Sequence, residues 1–106
     1  MNKTAHLVQF FLPVRGNDGK AFPREEFARV RAELADRFGG VTAYVRSPAV
    51  GAWEDDDGDV CRDDVLLFEV VADTLDRDWW RDYRDDLCGR FAQEEVLVRA
   101  SKVELI

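Results

Sequence analysis

With 106 residues, 46% of them hydrophobic, the chain has the size and composition of one globular domain and is too short for two. Fifteen Lys and Arg against 22 Asp and Glu give a formal charge of −7, which repels a phosphate backbone and an anionic bilayer, so neither nucleic acid nor membrane is an expected partner. No apolar run approaches the ~18 residues of a membrane span. The N-terminal stretch is interrupted by His6 and Gln9 and has no small-residue cleavage site, so it does not read as a secretion signal and a cytoplasmic protein is expected.

The first element is TAHLVQFFL, Thr4 to Leu12, rich in aromatic and branched side chains and closed by Pro13; it reads as a strand. A loop follows, with turn chemistry at Asn17, Asp18 and Gly19. Pro23 then precedes Glu25 and Glu26, and Phe27, Val30, Leu34 and Phe38 step by three and four, which predicts a helix from about Arg24 to Phe38 with its acidic residues at the positive end of the dipole.

Gly39 and Gly40 come directly after the last periodic residue, with Arg37 in the final turn. Phosphate loops place their glycines between a strand and the start of a helix. Here the glycines follow a helix, so they read as a C-terminal cap. Val41 to Arg46 is β-like, SPAVGAWEDDDGD is aperiodic loop, and Val65 to Ala72 is a clear strand. Thr74 or Asp76 would cap a second helix, in which Trp80, Tyr83, Leu87 and Phe91 form the apolar stripe. The segment EEVLVRASKVELI supplies a last strand. The order β-α-β-β-α-β predicts an α+β, ferredoxin-like domain over residues 1–106: a four-stranded antiparallel sheet with two helices on one face.

Strand alternation sorts the side chains into two faces. One carries His6, Val8, Phe10, Leu12, Val41, Ala43, Val45, Leu66, Phe68 and Val70. The other carries Leu7, Gln9, Phe11, Thr42, Tyr44, Arg46, Val65, Leu67, Glu69, Val71, Leu97, Arg99 and Ser101. The second face is too apolar for water alone yet contains Gln9, Tyr44, Arg46, Glu69 and Arg99. That mixture predicts a homodimer through the sheet face, with the polar set either lining a cavity or reduced to a register-setting pair between Glu69 and an arginine.

The remaining motifs point away from metal or nucleophilic chemistry. Cys61 and Cys88 lack metal spacing and read as free thiols. His6 is the single histidine, too few for a His-based zinc site, and is a candidate base only as a lone residue. The run from Trp53 to Asp64 approaches a calcium loop with Gly58 at the turn, but Trp53 occupies the position of the first carboxylate ligand. No serine has a nucleophile-elbow context. No metal and no cofactor are expected. Trp79, at the margin of the second helix stripe, and the loop residue Trp53 are free to line a site for a planar ligand.

Taken together, the RFGG that ends the first helix, the VT that opens the next strand, the G-x-W of Gly51 to Trp53 and the RF-x-QEEV of Arg90 to Val96 resemble the dimeric α+β barrel superfamily. They are similar to small bacterial proteins related to antibiotic-biosynthesis-type monooxygenases. The resemblance covers the whole chain. It implies a homodimer with facing sheets and a cavity between sheet and helices or loops. Cofactor-free members oxidise phenolic substrates with aromatic and polar residues. Haem-degrading relatives need a histidine on a helix, which this chain lacks.

The expectation is therefore a small dimeric protein that binds a small aromatic or polar organic molecule in a sheet–helix cavity, through Gln9, Tyr44, Arg46, Trp53 and Trp79. The alternative is a cofactor-independent monooxygenase acting on a phenol, with Glu69, Arg99 or His6 as candidate catalytic groups and Arg46 or Arg99 stabilising the phenolate.

Overall fold

The computed structural model describes residues 3–46 and 64–106. Its elements are β1 (Lys3–Pro13), α1 (Arg24–Phe38), β2 (Thr42–Arg46), β3 (Val65–Ala72), α2 (Arg77–Arg90) and β4 (Val98–Leu105). The strands form one antiparallel sheet in the order β2-β3-β1-β4. This is the ferredoxin-like arrangement, with β1 and β3 central and β2 and β4 at the edges.

Local chemistry accounts for the element ends. Gly39 adopts the left-handed conformation at φ 79° and donates its amide to the Ala35 carbonyl at 2.8 Å, which closes α1. Asp76 caps α2 by accepting the Trp79 amide at 3.1 Å. Between β1 and α1, Asp18 accepts the Lys20 amide at 2.9 Å and Gly19 turns the chain at φ 80°. That turn returns the chain to pair Arg15 with Ala21. It also sets Phe22 edge-on to Phe91, with ring centroids 5.1 Å apart.

The helices cover the face bearing Val8, Phe10, Leu12, Phe68 and Val70, and their own stripes supply Phe27, Val30, Leu34, Trp80, Tyr83, Leu87 and Phe91. Phe10 stacks on Phe68 at 5.2 Å and meets Trp80 and Tyr83 at 6.2 Å each. Burying a large apolar side chain contributes about 1.5 to 3 kcal/mol, so this layer carries the main stabilising term. These rings fill the middle of the layer between sheet and helices.

The two helices are tied by an ionic clamp. Arg90 donates to both Glu33 oxygens, at 2.5 and 2.7 Å, and to Asp86 at 2.6 Å. Tyr83 donates its hydroxyl to Glu33 at 3.0 Å. The Arg90 hydrogen bond holds the Glu33 carboxyl below its usual range. Burial, reinforced by the Glu33 charge, pushes the Tyr83 phenol up, so it stays a neutral donor.

Candidate functional site

The β-ladder register builds one polar row across the open face of the sheet. Glu69 lies opposite Thr42 on β2 and opposite Gln9 on β1, and Gln9 lies opposite Arg99 on β4. The row therefore runs Thr42, Glu69, Gln9, Arg99. The neighbouring row is apolar and aromatic: Tyr44 and Phe11 flank Leu67, which is only 2% exposed. On the far side, Leu7 pairs with Val71.

Within the polar row the side chains are chained rather than paired. Gln9 Nε2 donates to Glu69 Oε1 at 2.5 Å, and Arg99 Nε donates to Gln9 Oε1 at 3.1 Å. A guanidinium has only donors, so Arg99 requires the Gln9 carbonyl and leaves the Gln9 amide nitrogen to face the carboxylate. The Arg99 guanidinium also lies 5.1 Å from the centre of the Phe11 ring, which anchors it from the other side. A hydrogen bond to a charged group contributes about 1.5 to 3 kcal/mol. Glu69 is thus held by one oxygen, and no described residue donates to the other. The expected direct pair between Glu69 and an arginine is absent among the described residues: the Gln9 amide stands between Glu69 and Arg99 and transmits the orientation.

A groove of about 480 Å³, open to solvent, begins at this carboxylate. Leu7, Gly39, Gly40, Thr42, Glu69 and Val71 are among the residues that line it. Among the described residues, Glu69 is the one charged residue of the lining. The glycine pair makes the space: a Cβ built on either residue meets nothing within 4 Å. Gly39 needs its flexibility for the left-handed cap, whereas Gly40 has no such backbone requirement. Chemically, an oriented carboxylate in a largely apolar groove can accept a hydrogen bond, hold a cation or take up a proton.

The predicted residues divide among three places. Gln9, Glu69 and Arg99 come together, and Tyr44 shares their face, 40% exposed, opposite Leu67. Arg46 ends β2 opposite Val65, while its side chain, like Trp53 and Cys61, lies outside the described residues. His6 falls on the helix-side face, opposite Ala72 and Lys102, so the sheet separates it from Glu69.

Trp79 corrects the expectation of an aromatic cover over the polar set. It stacks on Tyr83 at 4.9 Å and packs edge-on against Phe38 and Trp80, with Arg37 4.2 Å above its ring. That cluster lies beyond the sheet from Glu69, because its spacing from Trp80 turns it along α2 and not through the sheet. Sequence reasoning also missed Gly40 as a groove wall and Gln9 as a bridge. The alternation that put Gln9 and Glu69 on one face was the available signal. The i,i+4 spacing of Asp86 and Arg90 was the signal for the interhelical clamp.

No protein-family model matches this chain, and no curated protein matches it in sequence. Among solved structures, it is similar to a phage SAM lyase in complex with S-methyl-5'-thioadenosine, with a TM-score of 0.60 and 12% identity over 95% of this chain and 88% of that one. It is also similar to a phage SAM lyase in the apo state, with a TM-score of 0.53 and 10% identity over 96% and 89% of the two chains. At these identities the likeness is one of fold. Among the described residues, no three His, Cys, Asp or Glu side chains gather as a metal site would require, and no helix is long and apolar enough to cross a membrane.

Proposed function

We propose that this chain binds a small organic molecule in the groove beside Glu69, and that two copies meet through their open sheet faces to enclose it. The observation that carries the reading is the Arg99–Gln9–Glu69 chain, which uses two side chains to orient one carboxylate on a residue that lines a largely apolar groove. The apolar surroundings favour the second copy: Val71, Tyr44 and the neighbouring Leu97 are 43%, 40% and 55% exposed. An apolar face of this kind is normally covered.

The ligand chemistry follows from the lining. One carboxylate between Leu7 and Val71 suits a molecule with a positive or hydrogen-donating centre on an apolar or aromatic body. S-adenosylmethionine has such a sulfonium centre, and the fold neighbours are named as SAM lyases, one of them holding S-methyl-5'-thioadenosine. These two compounds are therefore the first probes. Calorimetric titration is expected to show binding that weakens at least ~10-fold in Glu69→Gln and is lost in Gly40→Val, with both variants folded. Equal affinity in wild type and both variants would overturn the site.

A second reading rests on the same open oxygen. Glu69 would accept the proton of a phenol, with Arg99 at the other end of the row, before the phenolate reacts with oxygen, as in a cofactor-independent monooxygenase. Oxygen uptake with hydroquinones and anthrones, abolished by Glu69→Gln, is the expected sign. Uptake unchanged by that substitution would remove Glu69 from the chemistry.

A further inference from the structure

A second groove lies between α2 and the edge strand β4, on the helix side of the sheet. Its floor includes Val8, Trp80 and Val98, and its rim carries Arg77, Arg81 and Arg84; the volume is about 200 Å³. The arginines are four and three residues apart, which sets them along one side of α2. Val8 and Trp80 are almost wholly buried, so the floor is the edge of the apolar core itself.

The charge of this groove inverts that of the chain. The molecule has 22 acidic side chains against 15 Lys and Arg, yet among the described residues the groove lining contains arginines and no Asp or Glu. Arg81 and Arg84 touch Asp78 and Asp85, each at 3.2 Å, and those carboxylates are 93% and 70% exposed. Such solvated surface pairs contribute little and exchange readily for another anion. Arg77 has no ion pair or hydrogen bond among the described residues. Lys102 adds a further positive charge, since alternation along β4 puts it on the same face as Val98 and Ala100.

We propose that this groove binds a small organic anion, a carboxylate or phosphate carried on a single-ring or short aliphatic body. The guanidiniums supply planar donor forks matched to either oxyanion. The apolar floor takes the body, and a volume below the roughly 300 Å³ of drug-sized sites sets the size limit. Arg99 also borders the groove at the β4 edge, while its Nε bonds Gln9 on the open face.

The test is an amide chemical-shift titration of the full chain with phenyl phosphate, benzoate, inorganic phosphate and benzyl alcohol. The expected result is a localised set of shifts at Leu75, Arg77, Val98 and Ala100 with the two aromatic anions. Their affinity should exceed that of inorganic phosphate by at least ~10-fold, because only they use the floor. It should fall several-fold on raising the salt by ~0.2 M and at least ~10-fold in Arg77→Gln/Arg84→Gln. Shifts spread over the arginines of the whole surface, equal binding of benzyl alcohol, or undiminished affinity in the double variant would each overturn the proposal.

Discussion

The two faces of the one sheet are built on opposite principles. On the helix side, Phe10, Phe68, Trp80 and Leu87 are buried in a continuous apolar layer, and the ionic groups stand at its rim, where Arg90 is 12% exposed and bonds Glu33 and Asp86. On the open side, a polar row of Thr42, Glu69, Gln9 and Arg99 crosses the middle of an otherwise apolar surface. The first face derives its value from excluding water. The second places its hydrogen bonds where the proposed ligand and second copy would dock, so the same strands carry stability on one side and the proposed site on the other.

That contrast is open to direct tests. The largest effect belongs to the core: Phe68→Ala is expected to destabilise the fold by about 3 to 5 kcal/mol in denaturant unfolding, since a ring stacked on Phe10 leaves a cavity. A loss below about 1 kcal/mol would mean that the helix-side layer is not the main source of stability. Next comes the clamp. Glu33→Gln is expected to cost about 2 kcal/mol at neutral pH, less than a fully buried pair because the Glu33 side chain is 33% exposed.

The pH dependence of the clamp has a definite sign. The Arg90 hydrogen bond holds the folded Glu33 carboxyl below the ordinary glutamate range, so its contribution is complete above that range and is lost as the pH falls through the lower, folded value. Wild type is therefore expected to lose stability through this acid window more steeply than Glu33→Gln. Parallel curves for the two proteins would remove Glu33 from the acid response.

Smaller stability effects separate the two glycines. Gly39→Ala is expected to cost about 1 kcal/mol, because its φ of 79° strains any side chain. Gly40→Val is expected to change stability by less than about 0.5 kcal/mol, because its Cβ projects into open space. The binding consequence runs the other way, with Gly40→Val filling the groove and Gly39→Ala leaving most of it. Velocity sedimentation at micromolar concentration completes the set. A dimer is expected, and it should be weakened by Val71→Lys on the open face; a wild-type monomer would sink the enclosed-cavity reading.

How much of this was visible in the sequence depended on the range of the interaction. The α1 boundaries at Arg24 and Phe38 follow from Pro23, the three-and-four apolar spacing and Gly39, all local features. The division of Gln9 and Glu69 from Phe10 and Phe68 follows from alternation, which every strand obeys. The bond from Gln9 to Glu69 joins residues 60 apart, and that from Arg99 to Gln9 spans 90. Such pairings depend on register, which no local pattern encodes, so the Gln9 amide between Glu69 and Arg99 was not legible. Trp79 shows the same limit, since helical spacing placed it at the stripe margin without showing that the margin faces Phe38 and Arg37 on the far side of the sheet.

By itself, then, the sequence determined the order and type of the elements, their caps and the composition of each face, because propensity, periodicity and capping act over a few residues. The predicted ferredoxin-like sheet implies β1 between β3 and β4, and only the tertiary structure decided the register that sets Gln9 opposite both Glu69 and Arg99. That position makes Gln9 the bridge between a carboxylate and a guanidinium, and it leaves Glu69 opening onto the space beside two glycines.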